Sequence, residues 1–165
     1  IENPRVGLLS IGEEPGKGDT LRKAAHPLLA AAPGLNFIGN VEGRDVMSDD
    51  VDVCVTDGFT GNVVLKTLEG GMQAVIGALL EAFAQPEYKE HADALMPALL
   101  PLYETLNPDT YGGAVLLGVN GVCIIAHGSS SARAIENGIN VARDLVEHDM
   151  VTEIRDAIAA AAPAD

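Results

Sequence analysis

Two stretches of the chain carry an apolar strand pattern into a glycine-rich polar turn and then directly into a helical pattern. The first is Val51-Asp52-Val53-Cys54-Val55-Thr56-Asp57-Gly58-Phe59-Thr60-Gly61-Asn62, followed by Val63-Val64-Leu65-Lys66. The second is Val122-Cys123-Ile124-Ile125-Ala126-His127-Gly128-Ser129-Ser130-Ser131, followed by Ala132-Arg133-Ala134-Ile135. Strands that alternate with helices in this way predict a layered α/β/α fold around a mainly parallel sheet. Each turn also has a chemical consequence. It points unpaired backbone N–H groups and the positive end of a helix dipole at one spot, which suits an anion. In an open parallel sheet such turns lie at the carboxyl ends of the strands, where ligands bind. If the two strands are neighbours, both turns face one cleft for a ligand that carries phosphate.

The remaining segments extend the same pattern. Arg5 to Ile11 reads as a buried strand and Gly12 to Gly18 as its loop. Asp19 or Thr20 caps a helix with apolar positions at Leu21, Ala24, Ala25, Leu28 and Leu29, and Pro33-Gly34 stops it. Leu35 to Gly39 is a second strand, Val41 to Asp45 a polar turn, and Val51 to Thr56 a third strand. The helix after Asn62 runs to about Ala84, with Met72, Val75, Ile76, Leu79, Leu80 and Phe83 on one face. A polar connector from Gln85 to His91 leads to a second helical pattern over Leu95–Leu106, where Pro101 predicts a kink or a late start. Residues 72–106 are thus expected as a helical hairpin, a candidate membrane or dimer contact. Ala114 to Leu117 and the run ending at His127 read as strands with a turn at Gly118–Gly121 between them. Helices over Ala132 to about Glu147 and Val151 to Ala162 close the chain.

Length and composition narrow the function classes. The 165 residues suffice for a single α/β unit over 1–165, and with 47% apolar but 4% aromatic residues its core must be Ala, Val, Leu and Ile. No apolar run approaches the ~20 residues of a membrane span. Cys54 and Cys123 both lie in strand-like runs and are expected to be buried, reduced thiols, as in a cytoplasmic protein. Neither has a second Cys or His at ligand spacing, so no metal site is expected. A net charge of −14 with only ten scattered basic residues argues against nucleic acid as a partner. The opening Ile1-Glu2-Asn3-Pro4-Arg5 enters a strand almost at once and without Met, as the middle of a longer protein would.

Several familiar chemistries fail on inspection. Gly12-Glu13-Glu14-Pro15-Gly16-Lys17-Gly18 is too short for a nucleotide phosphate loop and has Gly18 where the Mg²⁺-binding hydroxyl belongs. No G-x-G-x-x-G follows a strand, so no dinucleotide cofactor is expected. No G-x-S-x-G occurs, so Ser129 is a poor hydrolase nucleophile. What remains is a set of anion-binding candidates. Asn62 and Lys66, spaced i, i+4, share a helix face at the mouth of the first turn, where the lysine can neutralise a phosphate and the asparagine donate to it. The other reading makes Asn62 the helix cap and Lys66 a solvated cation. His127 ends a strand before glycine and three serines, a position for either a general acid–base group or a structural histidine. His26, His91 and His148 sit on polar or turn positions and read as solvated. Arg44 is either an anion clamp or the partner of neighbouring acids.

Taken together, specific motifs resemble the bacterial phosphate acyltransferases of the PlsX family. They are Asn40-Val41-Glu42-Gly43-Arg44-Asp45; Asp57-Gly58-Phe59-Thr60-Gly61-Asn62-Val63 with Lys66 and Glu69-Gly70; Tyr111-Gly112-Gly113-Ala114 with Leu117-Gly118; and Ala126-His127-Gly128-Ser129-Ser130. The opening Ile1 to Leu9 and Ile11-Gly12-Glu13-Glu14 fit as well, so the match spans nearly the whole chain in order. The resemblance implies transfer of a fatty acyl group from acyl-[acyl carrier protein] to inorganic phosphate. The acyl phosphate would feed a membrane glycerol-3-phosphate acyltransferase in phospholipid synthesis. It also implies an isocitrate/isopropylmalate dehydrogenase-like architecture related to phosphotransacetylases, and a cytoplasmic homodimer in peripheral contact with the inner membrane face. No cofactor is implied, and the chain would be the C-terminal half of the enzyme. Local chemistry agrees, because phosphate is itself the nucleophile and no acyl-enzyme is required. His127, Lys66 and Asn62 are then the catalytic candidates, with Asp57, Gly58, Gly61, Arg44, Gly128 and Ser129 around phosphate.

Two departures stand beside the resemblance. A chain of charge −14 offers little basic surface for an acidic carrier protein. Between Leu95 and Leu106, where relatives often carry lysines, there are none, and Pro101 is added. Two other functions fit the same anion turns: a phosphotransacetylase using acyl-coenzyme A, and a non-catalytic dimerisation or docking segment.

Overall fold

The computed structural model describes residues 1–161. At its centre is Val6-Gly7-Leu8-Leu9, buried at every position, which forms β1 (Val6–Leu9). A continuous apolar run is the pattern of a strand covered on both faces. β1 is accordingly the middle strand of a three-stranded sheet, between β2 (Phe37–Val41) and β3 (Val53–Val55). Both pairings are parallel, with Leu8 opposite Asn40 on one side and Val55 on the other. Val6, Leu8, Leu9 and Val41 form this core, and burying each such side chain contributes about 1.5–3 kcal/mol. At the opposite edge from the turns, Arg5 closes β1 onto the start of β3. Its backbone N–H and its guanidinium both donate to the Asp52 carboxylate, at 2.7–2.9 Å.

Helix α1 (Thr20–Ala31) links β1 to β2 and starts where Asp19 accepts the Arg22 N–H at 2.9 Å, as the capping pattern predicts. Its apolar face differs from expectation. Leu21 and Leu28 are 56% and 73% exposed, and the helix packs instead through Ala25, His26 and Leu29. His26, expected to be solvated, stands edge-on to Phe37 with ring centroids 5.1 Å apart. An aromatic partner on the adjacent strand draws the imidazole inward.

Helix α2 (Gly58–Phe83) begins four residues before Asn62 is reached. Asp57 is the reason, since its Oδ1 accepts the N–H groups of both Phe59 and Thr60 at 3.0 Å and so caps the helix. By length and composition alone this 26-residue helix could cross a membrane, which corrects the expectation that no segment is long enough. Lys66 and Glu69 near its middle argue against that use, because a charge at a bilayer centre costs about 2.5–3.5 kcal/mol. Helix α3 (Lys89–Leu106) is longer than expected and continues through Pro97 and Pro101 without interruption. Both prolines are exposed, so the carbonyls left without a helical donor can face water. Ile76, Leu79 and Leu80 of α2 and Met96, Leu99 and Tyr103 of α3 line a shared apolar groove of about 280 Å³.

The remaining elements are α4 (Pro108–Tyr111), β4 (Ala114–Val115), β5 (Ile124–Ile125), α5 (Ala132–Glu147) and α6 (Met150–Ala161). β4 and β5 pair antiparallel in their own two-stranded sheet. β3 and β5 are therefore not sheet neighbours, contrary to the condition for a shared cleft, because the Gly118–Gly121 turn returns β5 to β4 instead. Cys123 also departs from expectation. It is exposed just before β5, whereas Cys54 is half-buried in β3 and burial pushes its thiol pKa up. The chain is a mixed α/β fold with a parallel sheet. Where the sequence reading treats 1–165 as one unit, the residues gather into two compact units, Ile1–Leu68 and a second from Glu69 onward.

Candidate functional site

The order β2-β1-β3 has a consequence for ligand binding. The chain leaves β1 towards β2 on one side and resumes with β3 on the other, so the connections after β1 and β3 diverge. The crevice outside their carboxyl ends is a topological switch point, the usual ligand position in open parallel sheets. The first predicted turn lies there, and a cavity of about 420 Å³ opens beside it, lined by residues that include Ser10, Gly18, Gly43 and Thr60.

Arg22, which sequence reasoning passed over, organises this crevice. Its side chain is only 11% exposed, and its guanidinium joins the starts of two helices. Nη1 donates to Asp19 Oδ2 at 2.8 Å, and Nη2 to Thr60 Oγ1 at 2.9 Å and to Asp57. Hydrogen bonds from the Thr60 hydroxyl and backbone N–H, then from Arg22, hold the Asp57 carboxyl well below the usual carboxylate range. The Arg22 pKa is raised in turn, first by Asp57. One signal for Arg22 was visible: it stands three residues after the capping Asp19, where an arginine can pair with its own helix cap.

The first-turn candidates share one element. Asp57 caps α2, Gly58 is its first residue, and the Gly61 N–H donates to the Asp57 carbonyl at 2.9 Å. Asn62 lies within the helix rather than capping it, and Lys66 follows one turn later; both are exposed. The amides of Phe59 and Thr60, expected to point at an anion, are engaged by the Asp57 carboxylate. Arg44 follows β2 and is 70% exposed among acids, with Glu42 at 2.7 Å, Glu13 at 2.9 Å and Asp45 at 3.6 Å. Of its two readings, this geometry is that of the acid partner.

The second turn belongs to the second unit. His127 follows β5, and its Nδ1 stands 2.7 Å from Ser129 Oγ. The Ser130 N–H donates to the His127 carbonyl at 3.0 Å, closing the turn that carries Gly128 and Ser129. Ser131 then caps α5 by accepting the Ala134 N–H at 3.2 Å. His127, Gly128 and Ser129 are exposed. Arg133, in the first turn of α5, pairs with Glu104 and brings Thr110 within 3.4 Å, a cluster not foreseen from sequence.

Comparison with known proteins agrees with the motifs. The chain is 50% identical to a protein named phosphate acyltransferase from Desulfitobacterium hafniense, an alignment covering 94% of this chain and 47% of that protein. It is 48% identical to the phosphate acyltransferase of Pelotomaculum thermopropionicum, covering 96% and 46%, and 46% identical to that of a Geobacillus species, covering 96% and 48%. The chain thus spans about half the length of the curated relatives it matches. A family model described as fatty acid synthesis protein matches residues 1–153. On that match and those identities, the chain belongs to the fatty acid synthesis protein family.

Proposed function

We propose that the chain is the C-terminal half of an acyltransferase that moves a fatty acyl group from acyl-[acyl carrier protein] to inorganic phosphate. The observation that carries this reading is 46–50% identity, along nearly all of the chain, to proteins named phosphate acyltransferase. In the proposed step a phosphate oxygen attacks the thioester carbonyl. The new carbon–oxygen bond forms, the carbon–sulfur bond breaks, and the thiolate leaves as free carrier thiol once it gains a proton. The protein's part is to orient phosphate against the thioester and to stabilise the oxyanion and the leaving sulfur. Lys66 and Asn62 on α2 hold phosphate by charge and by hydrogen bonding. His127, oriented through its Nδ1 by Ser129, donates to the thioester oxygen or protonates the sulfur. Gly128 and Ser129 form the turn that carries His127, and Asp57 with Gly58 and Gly61 sets the start of α2.

In this reading the enzyme is a cytoplasmic homodimer of isocitrate/isopropylmalate dehydrogenase-like architecture. It touches the inner membrane face and passes acyl phosphate to a membrane glycerol-3-phosphate acyltransferase. The test is to supply the whole enzyme with a long-chain acyl-[acyl carrier protein] and phosphate, and to measure free carrier thiol and acyl phosphate. Phosphate-dependent release of both is expected. Thiol release that ignores phosphate, or activity confined to acyl-coenzyme A, would overturn the reading.

A further inference from the structure

Arg22 holds the start of α2 in place from another helix, and the proposed roles do not use it. It lies in the first turn of α1, where its backbone N–H donates to Asp19 Oδ1 at 2.9 Å and its Nη1 to Asp19 Oδ2 at 2.8 Å. Its Nη2 reaches across to the β3–α2 junction, donating to Thr60 Oγ1 at 2.9 Å, to Thr56 Oγ1 at 3.4 Å and to the Asp57 carboxylate. One planar guanidinium thereby spans the cap of α1 and the first turn of α2, a geometry that a lysine's single nitrogen cannot reproduce. The surroundings leave it little room. Gly18 is left-handed, at φ 94°, and a Cβ there would stand 2.8 Å from Arg22 Cβ. The same Cβ would stand 2.9 Å from Ser10 Oγ, a buried hydroxyl without a hydrogen-bond partner among the described residues. A Cβ at Gly61 would stand 2.9 Å from Thr56 Cγ2, so the first turn of α2 sits directly against the residue that follows β3.

The helix start itself does not depend on this span. Without the guanidinium, Asp57 Oδ1 still accepts the Phe59 and Thr60 N–H groups, and Asp19, at 59% exposure, is solvated. What goes is the tie that sets where the first turn of α2 stands relative to α1. A helix carries such a displacement along its length, because its hydrogen-bonded residues move together. Asn62 follows Thr60 by two residues, and Lys66 stands one turn beyond Asn62. A misplacement of about 1 Å in a substrate-holding group costs up to ~10²-fold in rate.

We propose that Arg22 is a positioning residue for phosphate: by tying Asp19 to Asp57 and Thr60, it sets the α2 face that carries Asn62 and Lys66. The inference rests on the acyltransfer reading, which assigns phosphate to that face. In the whole enzyme, Arg22→Met keeps the aliphatic stem under Gly18 and removes the fork. It should raise the phosphate KM by about 10-fold, within the range for coupled neighbours, and leave the acyl-donor KM nearly unchanged. The deciding readout is a double-mutant cycle. Once Lys66→Ala has removed the charge being positioned, Arg22→Met should add less than about 3-fold. Losses that multiply in full, or that fall on kcat or the acyl-donor KM with the phosphate KM unmoved, mark a merely structural arginine and overturn the proposal. Thr60→Val removes the acceptor hydroxyl and leaves the backbone N–H on Asp57. It should raise the phosphate KM by about 3-fold, the worth of one neutral hydrogen bond, and it decides the question if Arg22→Met does not fold. An unmoved phosphate KM in Thr60→Val overturns the proposal. Equilibrium phosphate titration of the same proteins separates this inference from the reading beneath it. If acyl phosphate forms and Arg22→Met leaves phosphate binding unchanged, this inference alone falls. If no acyl phosphate forms, yet phosphate binds and is weakened by Arg22→Met except where Lys66→Ala is already present, the acyltransfer reading falls and the role of Arg22 stands.

Discussion

Lys66 lies two turns into α2, exposed, on the helix whose N-terminus borders the switch-point crevice. A charge-assisted contact from it to phosphate would be worth about 1.5–3 kcal/mol. In the whole enzyme, Lys66→Ala should therefore raise the phosphate requirement by roughly one to two decades and leave the acyl-donor requirement nearly unchanged. A phosphate dependence that does not move would make Lys66 a plain surface residue. His127 calls for a different substitution. Glutamine keeps a donor but cannot transfer a proton at neutral pH, so His127→Gln separates orientation from proton transfer. Turnover at saturating substrates should fall by ~10²–10⁴ with phosphate binding little altered. Near-normal turnover would leave His127 only an oxyanion or positioning role. At this scale the sequence was legible for a residue's place, as with His127, which follows β5 where its apolar run ends. Ser10 was not legible, because a lack of partners leaves no local pattern. Arg22 was legible only in part: its spacing from the capping Asp19 is local, but its partner Asp57 lies 35 residues away.

At the scale of elements, two contacts decide how the pieces hold together. The Arg5–Asp52 tie joins the starts of β1 and β3, and hydrogen bonds from the Arg5 side chain and backbone lower the Asp52 pKa to about 2. A carboxyl with a depressed folded pKa stabilises the fold fully above its unfolded value of about 3.9 and loses that contribution as pH falls towards the folded value. Stability of the chain should therefore decline between about pH 4 and pH 2, and Asp52→Asn should flatten that part of a denaturation series. Parallel curves for the two proteins would show the tie to be without consequence. The second contact is at Gly112, which ends α4 in the left-handed region, at φ 76°. A Cβ there would run into the backbone of Asn137 and Gly138 on α5, whose own Gly138 is buried. Strain and overpacking together put the cost of Gly112→Ala at about 2 kcal/mol or more. A shift in urea midpoint corresponding to less than ~0.5 kcal/mol would contradict this close packing. Strands β1 to β3 and helix α5 could be read from apolar runs and capping residues, because those signals are local. The continuity of α3 through two prolines and the pairing of β5 with β4 could not, since solvent access to freed carbonyls and the choice of strand partner are tertiary matters.

For the molecule as a whole, the informative feature is how little apolar side-chain surface it covers. Among the described residues only Val6, Leu8, Leu9, Val41, Ala92 and Ala134 are buried apolar positions, whereas Ile11 and Phe59 are each 81% exposed. Both of these stand next to the switch-point crevice, Ile11 in its wall and Phe59 in the first turn of α2. Large apolar side chains gathered at a ligand crevice are the pattern of a surface that another part of an assembly covers. The chain also matches less than half the length of proteins named phosphate acyltransferase. A bilayer, a second copy and the other half of the enzyme would all cover apolar surface, but only the last two can complete a site that, on the proposed function, has to exclude water from an acyl phosphate. The expected outcome is that the isolated chain, given long-chain acyl-[acyl carrier protein] and phosphate, releases no carrier thiol above background. Adding the complementary half of the enzyme should restore phosphate-dependent release and, in the same titration, quench the fluorescence of an apolar dye bound to the isolated chain. The two readouts matter jointly. Robust turnover by the chain alone would mean that the crevice is complete as it stands, and dye release without activity would mark the chain as a docking segment rather than half of an active site.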